Sequence, residues 1–172
     1  FIQPDSGWQA FNRVENLAAH FPIQDVFVNP SIETEAANQL MAQLSAATRV
    51  RQLNGNQTTQ LMTGISLETL AVRHESAAFL LKYGNLNMLL PNAVPHSIIH
   101  QLRPDALEGT TVLILNAAQF ENDDLAVWLS HPAQVILVNG EALNCGACLT
   151  TADLGCIHLR SDGVGMSVEG IQ

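Results

Sequence analysis

His96 and His100 stand four residues apart in a segment that reads as helix, which puts both imidazoles on one face. The same spacing binds zinc in the H-E-x-x-H motif, but there a glutamate follows the first histidine. Here Ser97, Ile98 and Ile99 intervene. A solvated polar face opposite Ile98, Ile99 and Leu102 accounts for the pair without a metal. Cys145 and Cys148 form a C-x-x-C, with Cys156 and His158 further on. Tetrahedral zinc takes four nitrogen or sulfur ligands, and Cys156 and His158, two apart on a strand, could address one ion from a shared face. A redox pair would sit at a helix N-terminus, whereas Gly146 and Leu149 point to a turn into a strand. Ordinary structural cysteines, a local disulfide or zinc clip, and redox chemistry stay open, in that order. Ser76 lies near His74, but two such residues on a strand without a third group make no catalytic triad. No nucleophile elbow, phosphate loop or dinucleotide fingerprint occurs.

The elements that must position these residues are organised around Leu67–Leu90. Its apolar runs, Leu67–Val72, Ala77–Leu81 and Met88–Leu90, are short and bounded by Gly and Asn, which suits buried strands better than helices. Tyr83-Gly84-Asn85 supplies residues that tolerate positive φ, so a hairpin is expected at Ala77–Leu90 after a strand at Leu67–His74. Upstream, Trp8, Phe11, Val14, Leu17 and Ala18 predict a helix over Trp8–His20. Ile23–Val28 reads as a strand, and Ser31 opens a second helix whose face is Ala36, Ala37, Leu40, Met41, Leu44 and Ala47. Thr48–Leu53 and Gln57–Met62 read as strands. Downstream, Pro95–Leu102 is expected to be a helix, Thr110–Leu115 a strand, Asn122 the start of a helix closed by His131-Pro132, and Ala133–Val138 a strand. The class is α/β, in mixed sheets with flanking helices.

Residues 1–172 form a single domain by this reading, with no repeat, linker or low-complexity tract. No run approaches the roughly 20 apolar residues of a membrane span, and no signal peptide is visible. The chain opens at Phe1, so it is expected to be a fragment of a longer protein. Seven basic residues face sixteen acidic ones, for a net charge of −9, and Lys82 is the single lysine. Phosphate backbones are bound largely through Lys and Arg, so DNA binding is expected to be weak or absent.

The stretch FIQPDSGWQAFNRVENLAAHFPIQDVFV resembles the segment that carries the H-x-H-x-D-H ligand signature in metallo-β-lactamase-fold proteins. It is closer to the version in the ComEC-type DNA-uptake competence proteins of bacteria. The hairpin Ala78–Leu90, the strands Thr111–Leu115 and Ala133–Val138, and the hairpin Ile157–Val168 with its Asp-Gly turn match that family's order of elements. The resemblance implies an αββα sandwich that is partial here, its first strands expected before Phe1 and missing. The family's metal ligands, however, are replaced. Gln3, Asp5, Gly7 and Trp8 stand in the histidine cluster, with Asp5 the one residue able to ligate. Asn92 stands where the hairpin would end in a bridging carboxylate, Ala117 and Ala118 where a His-His pair would come after the strand, and Asn139-Gly140 where a last histidine would come. With those ligands replaced, the resemblance implies a metal-free domain without a cofactor, serving as a structural or interaction module of a DNA-uptake membrane protein. Its partner would be the membrane-embedded remainder of the parent, on the extracytoplasmic face. Trp8 is expected to pack near Ala117 or Ala118 and fill the former site. The alternative is a metal-dependent hydrolase or nuclease with an atypical site drawn from Asp5, His96 or His158.

Overall fold

In the computed structural model the described residues are 2–3, 25–28, 49–73, 76–140 and 148–171. Seven strands build the main sheet: β4 (Gln57–Met62), β5 (Ile65–Val72), β6 (Ala77–Tyr83), β7 (Leu86–Leu90), β8 (Val112–Asn116), β9 (Val135–Asn139) and β10 (Cys148–Thr150). Their order is β10-β9-β8-β7-β6-β5-β4. Strands β4 to β7 meander antiparallel, because the short turns at Thr63-Gly64 and Gly84-Asn85 allow it. From β7 to β10 the pairing is parallel, and each of the first two crossovers carries helices. Those helices are α1 (His96–Leu102), α2 (Pro104–Glu108) and α3 (Asn122–Leu129). A further short helix, α4 (Thr151–Leu154), comes after β10.

The central strands are apolar on both sides, as strands covered by two layers must be. One face presents Leu70, Ala78, Leu80, Leu89, Leu113, Leu115, Ile136 and Val138 to Val94, Ile99, Ala106, Leu107 and Trp128 of the helical layer. On the other face Leu67, Ala77 and Phe79 pack with Phe27 and Leu53. Phe27 belongs to a three-stranded parallel sheet of β1 (Ile2–Gln3), β2 (Asp25–Val28) and β3 (Arg49–Gln52). That same face buries Leu86, Val112 and Leu137 under Ile157, Leu159, Met166 and Val168 of a hairpin, β11 (Cys156–Ser161) with β12 (Met166–Ile171). The arrangement is α/β in mixed sheets, with a helical layer on one side of the main sheet and strands on the other.

The hairpin expected at Ala77–Leu90 is present with the predicted turn, and the strands expected near 110–115 and 133–138 begin one or two residues later. Two expectations need correction. Leu102 is 51% exposed rather than buried with Ile99, because α1 stops at Arg103 and Pro104 starts a new helix at its first position. Helix α2 itself, which buries Ala106 and Leu107, has no counterpart in the sequence reading. The helices expected at Trp8–His20 and after Ser31 lie outside the described residues.

Candidate functional site

In a sheet of this kind, ligands bind at the carboxyl ends of parallel strands, where loops rather than side-chain layers cover the backbone. Here the carboxyl ends of β7, β8, β9 and β10 share one edge and present Asn92, Asn116 to Ala118, Asn139-Gly140 and Thr150-Thr151. Most of their polar groups serve the fold. Asn92, at φ +44°, donates its side-chain N–H to the Ala77 carbonyl at 3.0 Å, tying the end of β7 to the start of β6. Ala117 opens a 3-10 turn and packs half-buried against the main core, while Ala118 faces solvent. A β-carbon placed on Gly140 would meet the Ala117 methyl at 3.6 Å. The Gly140 N–H donates to Thr151 Oγ1 at 2.9 Å, and that hydroxyl donates to Asn139 Oδ1 at 3.1 Å. Thr150 caps α4: its Oγ1 accepts from the Asp153 N–H at 3.0 Å and donates to Asp153 Oδ2 at 2.6 Å.

This donor set does not fit a hydrolytic metal centre. Hydrolytic pairs of borderline cations are held chiefly by imidazole and carboxylate, and the edge offers methyls, carboxamides and hydroxyls, of which Asn92, Asn139, Thr150 and Thr151 are bonded to their neighbours. Among the described residues, no three of His, Cys, Asp and Glu stand close enough to hold an ion. Gln3 ends β1 in register with Val28, while Asp5, Gly7 and Trp8 lie outside the described residues.

The other residues singled out from the sequence are dispersed. Cys156 is a free, exposed thiol, as an ordinary cysteine would be, whereas Cys148 is disulfide-bonded, the second of the three readings. Cys156 and His158 do share a face of β11, and it is the solvent face. His158 and His96 belong to layers on opposite sides of the main sheet and share no site. Ser76 closes a turn by exchanging backbone hydrogen bonds with Arg73, and His74 lies outside the described residues.

His100 is exposed, as expected of a solvated face, whereas His96 is half-buried. Its ring stacks on that of His100 at 6.1 Å, meets Trp128 edge-on at 4.8 Å and lies 6.0 Å from His131. His131, which the sequence presents only as a helix stop before Pro132, is buried. Burial, then the neighbouring imidazole, holds both His96 and His131 below the ordinary imidazole pKa. A second polar cluster pins the α1–α2 corner to the sheet. Glu68, buried on β5, takes Lys82 at 3.1 Å and also Arg103, which in turn holds Asp105 at 2.7 Å. Burial raises the Glu68 pKa, but the bonds from Arg103 and Lys82 outweigh it and hold the carboxyl below its ordinary value. No sequence signal pairs Glu68 with Arg103, since they meet only across the helical layer.

No family model and no curated protein matches the chain. Among solved structures, it is similar to a candidate metal-dependent hydrolase from Parabacteroides distasonis ATCC 8503, with 9% identity and a TM-score of 0.45 over 77% of this chain and 78% of that one. It is also similar to a candidate zinc-dependent hydrolase of the metallo-β-lactamase superfamily from Thermotoga maritima, with 13% identity and a TM-score of 0.42 over 76% of this chain and 66% of that one.

Proposed function

We propose that this chain is a non-catalytic domain on a metallo-β-lactamase-like scaffold of the ComEC type, serving as a structural or interaction module of a DNA-uptake membrane protein. The observation that carries the non-catalytic part is the donor set at the carboxyl edge. Asn92, Ala117, Ala118 and Asn139 stand where the resemblance calls for ligands, and the Asn92 amide is committed to the Ala77 carbonyl. Two methyls bring no donor atom and a committed amide no charge to hold the ions that would lower the pKa of a bridging water. The assignment to the competence family rests on the order of elements and on the sequence stretch that precedes β2. Trp8 as the filler of the former site belongs to the same reading.

An extracytoplasmic position is part of the proposal and is supported by the disulfide at Cys148, since such bonds persist mainly in oxidising compartments. Among the described residues, no helix is long and apolar enough to cross a membrane.

The test is metal content together with activity. Purified chain equilibrated with zinc or manganese should retain no stoichiometric ion after dialysis and should not cleave phosphodiester or β-lactam substrates. Titration against single- and double-stranded DNA at physiological salt should give no binding tighter than about 10⁻⁶ M, given a net charge of −9. Two tightly held ions per chain, or metal-dependent turnover, would overturn the reading.

A further inference from the structure

Three imidazoles meet where the helical layer closes over the main sheet. His96 opens α1, His100 comes one turn later, and His131 lies just beyond α3. The indole of Trp128 is the surface on which they gather: its ring lies 4.8 Å from that of His96 and 6.2 Å from that of His131, with Phe120 at 6.4 Å on another side. Trp128 is fully buried in the main core and His131 is 8% exposed, so the contact is part of the wall of that core.

The protonation state of His131 is set by its partners. Nε2 of the ring is buried with no hydrogen-bond partner among the described residues, and the backbone of Leu107 on α2 only partly offsets the lowering of the ring's pKa. The imidazole lies beside the buried Trp128 ring, and its Nε2 has nothing to bond to. A second proton would create a buried cation with nothing to accept from it.

Among the described residues, the packed elements bring no counter-ion. On α1 and just after it, His100 faces His96, and Arg103 is held by Glu68 and Asp105. On α2, Asp105 is taken by Arg103 and Glu108 is exposed. At α3, Glu121, Asn122 and Asp123 are exposed and Asp124 is half-buried. On β5, Glu68 is shared between Lys82 and Arg103. Among the described residues, the charges that act on these rings are other imidazoles, His100 on His96 and His96 on His131.

We propose that the contact of His96, His131 and Trp128 is an acid-sensitive latch, which holds α1 to α3 on the sheet at neutral pH and releases them when both histidines take up protons. The sign is set by where the protons bind. Both rings sit below the ordinary imidazole value of 6.5 in the folded chain, so the opened chain takes protons first as pH falls. The stabilisation is complete above pH 6.5 and is lost below it. The carboxylates with lowered pKa, Glu68, Asp105 and Asp162, act in a separate window below their ordinary values of 4.5 and 3.8.

The experiment measures opening of the full chain between pH 8 and pH 5, by denaturant titration and by hydrogen exchange of the α1–α3 amides corrected for intrinsic rates. The opening constant should rise as pH falls below 6.5, by at most about tenfold per pH unit for each ring that takes up a proton, and should level off once the folded rings are protonated. His131→Phe keeps a ring in the site without a titrating nitrogen and should halve the logarithmic slope. His96→Phe should act likewise, and ¹⁵N-resolved titration of the unmodified chain gives the answer even if a variant fails to fold. His131 titrating below free imidazole, with slopes flattened in the variants, supports the latch. Slopes unchanged in both variants, or His131 titrating at or above the ordinary value, would overturn it.

Discussion

Gly84 is where two hairpins lock together, and replacing it with alanine tests how the layers are joined. The turn between β6 and β7 holds Gly84 at φ +56°, and the Asn85 N–H donates to the Gly163 carbonyl in the turn between β11 and β12 at 2.6 Å. A β-carbon on Gly163 would meet the ring of Tyr83 at 3.2 to 3.5 Å. A β-carbon on Gly84 would overlap the Gly163 carbonyl oxygen and stand 2.8 and 2.9 Å from that residue's carbonyl carbon and Cα. These are backbone atoms and cannot swing aside as a side chain would. The left-handed conformation costs an alanine about 1–2 kcal/mol, and overpacking against a fixed wall adds about 1–3 kcal/mol. Gly84→Ala should thus lose about 2–5 kcal/mol. Gly64→Ala is the matched control, because Gly64 has φ +79° with nothing within 4 Å of a β-carbon. It should lose only the conformational part, about 1–2 kcal/mol. Urea denaturation of the three proteins, with equal m-values, gives both numbers. Hydrogen exchange at Asn85 should rise in Gly84→Ala if the hairpin undocks to relieve the overlap. Gly84→Ala costing no more than Gly64→Ala would refute the interlocked turns.

Removing the guanidinium that satisfies Glu68 is the second perturbation. Arg103→Met should destabilise by about 3 kcal/mol, the lower end for breaking a buried pair because the Arg103 side chain keeps 22% exposure. The double variant Glu68→Gln/Arg103→Met should recover part of that loss in thermal melts at pH 7, and no recovery would mean that Arg103 acts through packing alone. Ala93 sits at φ +63° just after β7, where alanine is strained. Ala93→Gly should raise stability by about 0.5–1 kcal/mol, the left-handed penalty less the larger chain entropy of glycine. A denaturation midpoint that falls instead would show that the methyl packs usefully there.

The β6–β7 hairpin was legible because its apolar runs are short and Gly84 marks the turn. β8 and β9 were legible because VLIL and VILV must be covered on both faces. The short helices were not. Pro104–Glu108 and Thr151–Leu154 span too few residues to show a period, and they exist because the Arg103–Asp105 pair and the Thr150 cap hold them. Leu102 has the right spacing for a buried position, but the helix ends before the layer can cover it.

The site divides in the same way. That Ala117 and Ala118 bring no donor atom, and Asn92 no imidazole or carboxylate, follows from their side-chain chemistry, which no fold can change. Where His96 belongs was a different matter. Residues four apart on a helix share a face whatever the fold, so the His96–His100 contact was implicit in the spacing. Whether that face meets solvent or core depends on what lies against it. His131 reaches His96 because β7, β8 and β9 are parallel neighbours and their crossovers pass over one face of the sheet. Strand order is fixed by burial summed over the whole core, and no local stretch of sequence carries it. The tertiary structure alone therefore decided that a residue reading as a helix stop would sit buried beside Trp128 with an unpaired nitrogen.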